Sequence, residues 1–267
     1  MSSAKHARII EALKDQPRIS QVPRYTCHDK EDFLEQVGRL AYPAILETKR
    51  SPTSRVQPDQ VIPYLLSQHN DLMCQVRVGD YADPKIYSHQ RQYDNLSLSD
   101  YIKRCVAGNL PEIGYAGRIS FPEITIQKIA GEIPSFLSSD ELFECFAWLG
   151  PASAITPLHK DSSDNFVIQV LGVKAWTLYP VRDIPLLDMH CPTPTDAPDF
   201  YISRIDLRRP QLEEMCAFLK AKSVSVLTCP GDILYIPAGW VHYVNCVQFS
   251  LTVNYWRKPE LPPFLFC

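Results

Sequence analysis

Apolar residues recur at helical spacing in several short stretches of the first part of the chain. The predicted helices lie within 9–13, 33–40, 61–66 and 97–108, and short apolar strands are predicted between them at 43–47 and 72–78. Pro63 restricts the third helix to a short one, because a proline inside a helix removes a backbone donor. Ser97 and Asp100 are placed as a capping box for the fourth helix, and Gly108 is a stop signal. This part is therefore predicted to be mixed.

From about Glu141 onward, the pattern changes to closely spaced strands separated by glycine, proline and aspartate. The predicted strands lie at 142–149, 164–172, 174–181, 223–229, 232–237, 240–247 and 249–256. Only 208–222 interrupts them with helical spacing. Such a series predicts a β-sandwich or barrel, and no linker of low complexity divides the chain. The sequence therefore predicts one mainly β unit with flanking helices.

Composition and charge narrow the classes of function. The 267 residues include 27 basic and 30 acidic side chains, for a net charge of −3. This balance disfavours nucleic acid or an anionic membrane as the main partner, because both need a positive surface field. No stretch approaches the ~20 apolar residues that cross a bilayer, and the charged start is unlike a secretory signal. The nine cysteines are scattered without a CxxC pair, so we expect an intracellular protein with reduced thiols.

Two histidines and an aspartate are the main candidates for chemistry. His159 and Asp161 are two residues apart, so on a strand their side chains share a face, and His242 comes from a distant predicted strand. Two imidazoles and one carboxylate on one side of an ion leave three coordination positions open, as in non-haem Fe(II) oxygenases. The alternative is a polar strand end that binds no metal.

Lys174 is a second candidate, because it lies in an otherwise apolar predicted strand that follows a turn at Gly172. A lysine that faces the interior of a barrel is costly unless an anion neutralises it. The alternative is an outward, solvated lysine, since every second position of a strand is external.

Together these motifs resemble the JmjC-domain (jumonji) family of Fe(II)- and 2-oxoglutarate-dependent oxygenases, over roughly 115–256. The resemblance is greatest to its hydroxylase branch, which includes factor inhibiting HIF and the small jumonji arginyl and lysyl hydroxylases. It implies a double-stranded β-helix core (jelly roll, cupin-like) at 111–258, a helical or mixed N-terminal buttress at 1–110 and a short C-terminal tail at 259–267.

The resemblance also implies roles for individual residues. By this resemblance His159, Asp161 and His242 are the iron ligands at the catalytic centre, while Lys174 and Thr156 bind the far carboxylate of 2-oxoglutarate. The other residues that it places beside the cosubstrate are Asn165, Tyr115, Asn254 and Trp148. Each of these has an alternative as a strand end, a turn residue or core packing.

A long proline-rich segment between predicted core strands, 188–210, is a further region of interest. Long loops in compact domains are often functional, and the resemblance places a substrate entrance here. The candidate substrate contacts are Asp188, Asp196, Asp199 and Tyr201, while His190, in the same segment, is most simply a surface or core residue. The alternative is a solvated loop that prolines stiffen.

The function that the resemblance implies is hydroxylation of a protein side chain with Fe(II), 2-oxoglutarate and O₂, which yields succinate and CO₂. The alternatives are demethylation of N-methyl-lysine, hydroxylation of RNA or a small molecule, and a non-catalytic cupin-like binding protein. Demethylation ranks second because no zinc-binding cluster or basic tail accompanies the motifs. The chain ends soon after the last predicted strand, so we expect no C-terminal extension of the kind by which some relatives dimerise.

Overall fold

Two large sheets form most of the protein that the computed structural model describes, which comprises residues 20–48, 56–89, 91–107, 114–191, 201–209 and 217–259. The strands are β1 (Ser20–Gln21), β2 (Arg24–Thr26), β3 (Ala44–Glu47), β4 (Met73–Val78), β5 (Gln92–Ser97), β6 (Tyr115–Ile119), β7 (Leu142–Gly150), β8 (Ile155–Lys160), β9 (Asp164–Leu171), β10 (Lys174–Tyr179), β11 (Met189–His190), β12 (Tyr201–Ser203), β13 (Val224–Thr228), β14 (Ile233–Ile236), β15 (Val241–Cys246) and β16 (Ser250–Arg257). The α-helices are α1 (Lys30–Gln36), α2 (Val61–His69), α3 (Pro84–His89), α4 (Leu98–Val106) and α5 (Glu123–Ala130). Short 3-10 helices lie at Gly38–Leu40, Pro58–Gln60, Ser139–Glu141 and Val181–Leu186.

The chain winds back and forth between the two sheets. One sheet has seven strands in the order β1-β13-β10-β15-β8-β12-β11, and the other has nine in the order β2-β3-β14-β9-β16-β7-β6-β4-β5. From β7 to β10, and again from β13 to β16, successive strands alternate between the sheets. Most pairs are antiparallel, and β1 with β13 and β2 with β3 are parallel. This winding confirms the predicted jelly-roll fold, mainly β with flanking helices.

Apolar side chains from both sheets fill the space between them. Val167 and Leu234 of the nine-stranded sheet pack in one buried cluster with Trp176 and Val244 of the seven-stranded sheet. The flanking residues of β9, Phe166 and Ile168, belong to a different cluster, because side chains alternate between the faces of a strand.

That second cluster lies on the other face of the nine-stranded sheet, where four helices pack. Phe33 of α1, Leu65 of α2, Tyr101 of α4 and Ile126 of α5 are all buried in it together with Phe166. The helices therefore support the sheet from outside. Among the described residues, no helix combines the length and the apolar character that a membrane crossing needs.

The strands predicted from Glu141 onward are confirmed, as are the earlier strands at 43–47 and 72–78, which are β3 and β4. Helices α1, α2 and α4 confirm three of the predicted helices, and the Ser97 hydroxyl accepts the backbone N–H of Asp100 at 3.1 Å as the cap of α4. The predicted helix at 9–13, the middle of the predicted helix at 208–222 (residues 210–216) and Gly108 lie outside the described residues.

The elements that the pattern did not predict include α3, α5, β5 and β6. Helix α5 is instructive, because Ile124, Thr125 and Ile126 are β-branched and favour strands. Its buried positions include Ile126, Ile129 and Ala130, which share one face of a helix. Packing of that face on the sheet outweighs the local preference.

Strands from before and after residue 110 share the nine-stranded sheet, since β4 pairs with β6 through Val76 opposite Ala116 and Arg77 opposite Tyr115. The family-based division at 110/111 stays a prediction.

A buried ion pair ties the ends of two central strands together. The Nη2 of Arg257, on β16, donates to Oδ2 of Asp164, on β9, at 2.9 Å, and the side chains are only 2% and 5% exposed. The other carboxylate oxygen of Asp164 accepts the backbone N–H of Ala238 at 3.0 Å. The pair therefore also fixes the turn that leads into β15.

Replacing Arg257 with methionine should destabilise the protein, because it leaves the Asp164 carboxylate buried without its cation. We expect a loss of about 3–5 kcal/mol in the free energy of unfolding, measured by urea denaturation. The matched control is Arg24→Met, because Arg24 pairs with Glu47 and Asp232 while about half exposed. That change should cost roughly 1 kcal/mol or less. Equal losses for the two variants would contradict this role of the pair.

Candidate functional site

The pairing of β8 with β15 brings two of the predicted metal ligands together. His159 and His242 are directly opposite each other in the register, and their ring centroids are 4.2 Å apart. Asp161 was expected on the same strand as His159, but β8 ends at Lys160. The backbone carbonyl of Asp161 instead accepts the N–H of Gly239 at 2.8 Å, which holds the residue beside the sheet. One ligand atom from each of the three side chains lies within 4.8 Å of the others.

Hydrogen bonds fix which nitrogen of each imidazole faces the site. His159 Nδ1 lies 2.8 Å from the carbonyl oxygen of Pro157, and His242 Nδ1 lies 3.1 Å from that of Trp240. A carbonyl oxygen can only accept, so each Nδ1 carries the proton and each Nε2 bears the lone pair. This is the usual way in which a protein orients a metal-binding histidine.

The Asp161 carboxylate is oriented by two donors on neighbouring strands. Its Oδ2 accepts the indole N–H of Trp256 at 3.1 Å and the side-chain amide of Asn165 at 3.4 Å. Asn254 in turn donates to the Asn165 side-chain oxygen at 3.2 Å. Asn254 and Asn165 therefore form a chain of hydrogen bonds that ends at Asp161, and Trp256 donates to Asp161 directly.

Electrostatics favours the protonation states that bind a metal. Burial, followed by the proximity of His242, lowers the pKa of His159, so this imidazole is neutral. Burial by itself raises the pKa of Asp161. The nearby His242 and His159 and the two hydrogen bonds lower this pKa by a larger amount, so the net shift is downward. Neutral imidazole and ionised carboxylate are the ligand forms of these side chains. The three residues can therefore hold one divalent metal ion.

The Lys174 side chain points inward and is only 1% exposed. Its ammonium donates to the Tyr115 hydroxyl at 2.8 Å and to the Thr252 hydroxyl at 2.9 Å. No carboxylate among the described residues forms an ion pair with it. A buried ammonium with two hydroxyl partners and no anion fits the carboxylate of a bound molecule. The alternative of an outward lysine is wrong.

All of the residues predicted to bind the metal or the cosubstrate line one cavity of about 480 Å³. They are Tyr115, Trp148, Thr156, His159, Asp161, Asn165, Lys174, His242 and Asn254. A cavity of this size accommodates a small molecule. The metal-binding side chains and the buried lysine therefore face one shared space.

Two glycines make room for aromatic side chains of this cavity. A Cβ at Gly150 would lie 2.5 Å from ring atoms of Tyr115, and a Cβ at Gly117 would lie 2.3 Å from the Trp148 ring. The two rings contact each other with centroids 5.7 Å apart. Glycine at both positions therefore allows the Tyr115 hydroxyl to reach Lys174.

Among the cavity residues that sequence reasoning missed are Arg77, Thr252 and Trp256. Thr252 lies two residues before Asn254 on β16, so alternation would have placed both on one face. Arg77 is an arginine in an apolar strand, which is the same signal that drew attention to Lys174.

The described parts of the proline-rich segment, 188–191 and 201–209, do not line the cavity. Tyr201 packs under the ammonium of Lys160 at 4.3 Å, and Asp188 pairs with Arg204 at 3.0 Å on the surface. Neither of them, nor His190, lines the cavity. Asp196 and Asp199 lie outside the described residues. Contact of this segment with a substrate stays a prediction.

Comparisons with known proteins agree with this geometry. Residues 41–260 match a family model described as a cupin-like domain. Over 244 residues, the chain is 27% identical to lysine-specific demethylase 8 of Danio rerio, in an alignment that covers 88% of this chain and 58% of that protein. The chain thus spans little more than half the length of that relative.

Two further relatives extend the comparison. The chain is 26% identical over 263 residues to tRNA wybutosine-synthesizing protein 5 of Danio rerio, which covers 89% of this chain and 75% of that protein. It is 34% identical over 122 residues to JmjC domain-containing protein F of Dictyostelium discoideum, which covers 41% of this chain and 26% of that protein. The family model covers more than three quarters of the sequence and the fold agrees with it, so the chain belongs to the cupin-like JmjC domain family.

Proposed function

We propose that the protein is an Fe(II)- and 2-oxoglutarate-dependent dioxygenase that hydroxylates a protein side chain. The observation that carries the proposal is the combination, in one cavity, of His159, Asp161 and His242 with a buried lysine that lacks an anionic partner. A metal-binding triad alone would suit many metals and reactions. An open metal face beside an isolated ammonium suits a cosubstrate that has a carboxylate at its far end.

The side chains around the triad would have two roles, which are to bind the metal and to orient its carboxylate ligand. His159, Asp161 and His242 would hold Fe(II), which when bound supplies the activation of O₂ and the oxidation of 2-oxoglutarate to succinate and CO₂. Asn165 and Trp256 keep the Asp161 carboxylate in place through Oδ2.

The far carboxylate of 2-oxoglutarate would be bound at the other end of the cavity. Lys174 would pair with it, and the hydroxyls of Thr156, Tyr115 and Thr252 surround the place where it would lie. Asn254 and Trp148 line the same cavity. Burial of these groups excludes water and strengthens their attraction for the anion.

The nature of the substrate is the finer part of the proposal. We place hydroxylation of a protein side chain first, in a catalytic core at 111–258 that the preceding residues support. The similarity to lysine-specific demethylase 8 favours demethylation of N-methyl-lysine as the second candidate. Both reactions begin with hydroxylation of a C–H bond, so one cavity serves either. The similarity to a tRNA-modifying protein keeps RNA as a further alternative.

The setting that we propose is intracellular, cytoplasmic or nuclear, since Fe(II) and 2-oxoglutarate are both present there. Burial raises the pKa of several of the described cysteines, including Cys74 and Cys145, to about 11. Such thiols are inert at neutral pH and do not compete with the triad for metal.

The mass of the product distinguishes the candidate reactions. After incubation with Fe(II), ascorbate, 2-oxoglutarate and peptides from a cell extract, hydroxylation should add about 16 Da to a peptide. Loss of about 14 Da with release of formaldehyde would indicate demethylation instead. If the purified protein binds neither Fe(II) nor 2-oxoglutarate by calorimetry, the proposal is wrong.

Replacing His159 with alanine should reduce the affinity for Fe(II) or Mn(II) by at least tenfold and abolish succinate formation, because one of three ligands is lost. The measurement is anaerobic calorimetry with each metal. His190→Ala is the matched control, since His190 lies two strands away in the same sheet, opposite Ile202, which pairs with His159. If both variants bind metal as tightly as the unmodified protein does, the assignment of His159 as a metal ligand is wrong.

Replacing Lys174 with methionine should weaken 2-oxoglutarate binding by about 100-fold, or ~3 kcal/mol, because the ligand carboxylate then lacks its cation. Metal affinity should stay unchanged. Lys160→Met serves as the control, because Lys160 lines the same cavity but its ammonium packs on Tyr201. A similar dissociation constant for the Lys174 variant and the unmodified protein would remove Lys174 from the cosubstrate site.

The affinity for 2-oxoglutarate should fall as pH rises through 8. Burial lowers the pKa of Lys174 to about 8, and the nearby Cys246 thiol opposes this shift only in part. The protonated fraction that attracts a carboxylate is fully present below that pKa, and between pH 7 and pH 9 it falls roughly tenfold. Calorimetric titrations across this range should show a loss of about that size. A Lys174→Arg variant, which stays charged, should bind without this pH step.

A further inference from the structure

A second buried cation lies in the same cavity and has no role in the function proposed above. Arg77, on β4, is only 7% exposed and lines the cavity. Its guanidinium lies over two aromatic rings, with its central carbon 4.7 Å from the Tyr87 centroid and 5.2 Å from the Trp148 centroid. Rings on a guanidinium cover its faces and leave its edge as the hydrogen-bonding surface.

Two buried donors beside each other lack acceptors here. Nη1 of Arg77 and Nε1 of Trp148 both have no hydrogen-bond partner among the described residues, although both atoms are buried. Buried donors in native proteins are almost always satisfied, by protein, water or a bound ion. The guanidinium of Arg77 also has a side-chain hydrogen bond with Tyr93, but its Nη1 and the adjacent indole N–H are left without acceptors, which together indicate an anionic acceptor.

The cavity itself does not supply that acceptor. The carboxylates that line it are Asp161 and Glu144. Asp161 belongs to the metal-binding triad, and Glu144 accepts from Arg118 at 2.8 Å. Arg77 forms no ion pair with any described carboxylate. A charge that is buried without a counter-ion is costly to folding, so a bound anion is the physical explanation for its retention.

The proposed cosubstrate does not supply it either. 2-Oxoglutarate has two carboxylates, of which one would lie at the metal and the other at Lys174. We propose that Arg77, with the indole N–H of Trp148, forms a second anion site that binds a carboxylate of the substrate. The proposal rests on the function proposed above and adds the class of substrate, namely one with an acidic group close to the hydroxylated carbon.

A guanidinium edge matches this ligand well. Arginine binds a carboxylate through two parallel N–H donors, which fixes orientation as well as charge. Phe143, which is half exposed, lines the same cavity and offers an apolar contact for the part of the substrate that enters. The acidic group is supplied either by a side chain of a peptide or by a small carboxylic acid, and the two sources are separated below.

The test compares two pools of degenerate 12-residue peptides with blocked ends. One pool contains aspartate and glutamate at random positions, and the other has asparagine and glutamine in their place. Binding is measured by fluorescence anisotropy to protein loaded with Mn(II) and 2-oxoglutarate without O₂. Turnover is measured separately as peptide-dependent succinate. The unmodified protein should bind the acidic pool at least tenfold more tightly than the amide pool.

Arg77→Gln should abolish this preference and leave the dissociation constant for 2-oxoglutarate within about threefold. Trp148→Phe, which removes only the indole N–H, should reduce the preference in part. Arg91→Gln is the matched control, because Arg91 lines the same cavity and packs on the same Tyr87 ring, also at 4.7 Å. It should keep the preference. N-acetylaspartate and N-acetylglutamate form a third arm, and their binding in place of peptides would identify a small acid as the source.

Several results would overturn the proposal. Equal binding of the two pools by the unmodified protein would show that no acidic group is recognised. A tenfold loss of 2-oxoglutarate affinity in Arg77→Gln would assign Arg77 to the cosubstrate instead. An equal loss of preference in Arg91→Gln would show that the preference for acidic peptides depends on the overall positive charge of the cavity and not on Arg77 in particular. If the protein binds no 2-oxoglutarate but still selects the acidic pool through Arg77, the proposed function fails and the anion site stands.

Discussion

The hydrogen-bond register between β8 and β15 sets His159 directly opposite His242, and the rest of the site depends on it. A slip of one residue in either strand would turn one imidazole toward the opposite face of the sheet. The register is held on both sides. β10 pairs along the whole of β15, and the buried Asp164 carboxylate fixes the turn before β15 through Ala238. The buried ion pair with Arg257 therefore stabilises the geometry of the metal ligands as well as the fold.

Much of the fold and part of the site could be predicted from sequence, because both depend on local periodicity. Alternation from Glu141 onward gave the strands, and the two-residue spacing of His159 and Asp161 indicated a shared face. The position of Asp161 after the end of β8 could not be predicted, since it depends on a hydrogen bond to Gly239, which is distant in sequence. For the same reason Thr252 was missed as a partner of Lys174, because only the three-dimensional fold brings the two strands together.

The cavity shows how function and stability compete in one structure. Lys174 and Arg77 are buried without carboxylate partners among the described residues, and both positions would be more stable with apolar side chains of similar size. The cost of burying these two charges is offset by the surrounding apolar clusters and by aromatic contacts such as those of Arg77 with Tyr87 and Trp148. Ligand binding would then contribute to stability, since a bound anion removes the cost of the isolated charges.

The order of the nine-stranded sheet has a practical consequence for anyone who shortens the chain. β4 and β5 follow β6 at one edge of that sheet, so they cover it with backbone hydrogen bonds from residues that precede 110. A fragment that began at residue 111 would keep the triad but expose β6 as an unpaired edge, which favours association between molecules. It would also lose the strand that contributes Arg77. The smallest fragment suitable for enzymology or crystallisation therefore begins before β2, because β2 and β3 pair at the opposite edge of the same sheet and Phe33 of α1 is buried against it.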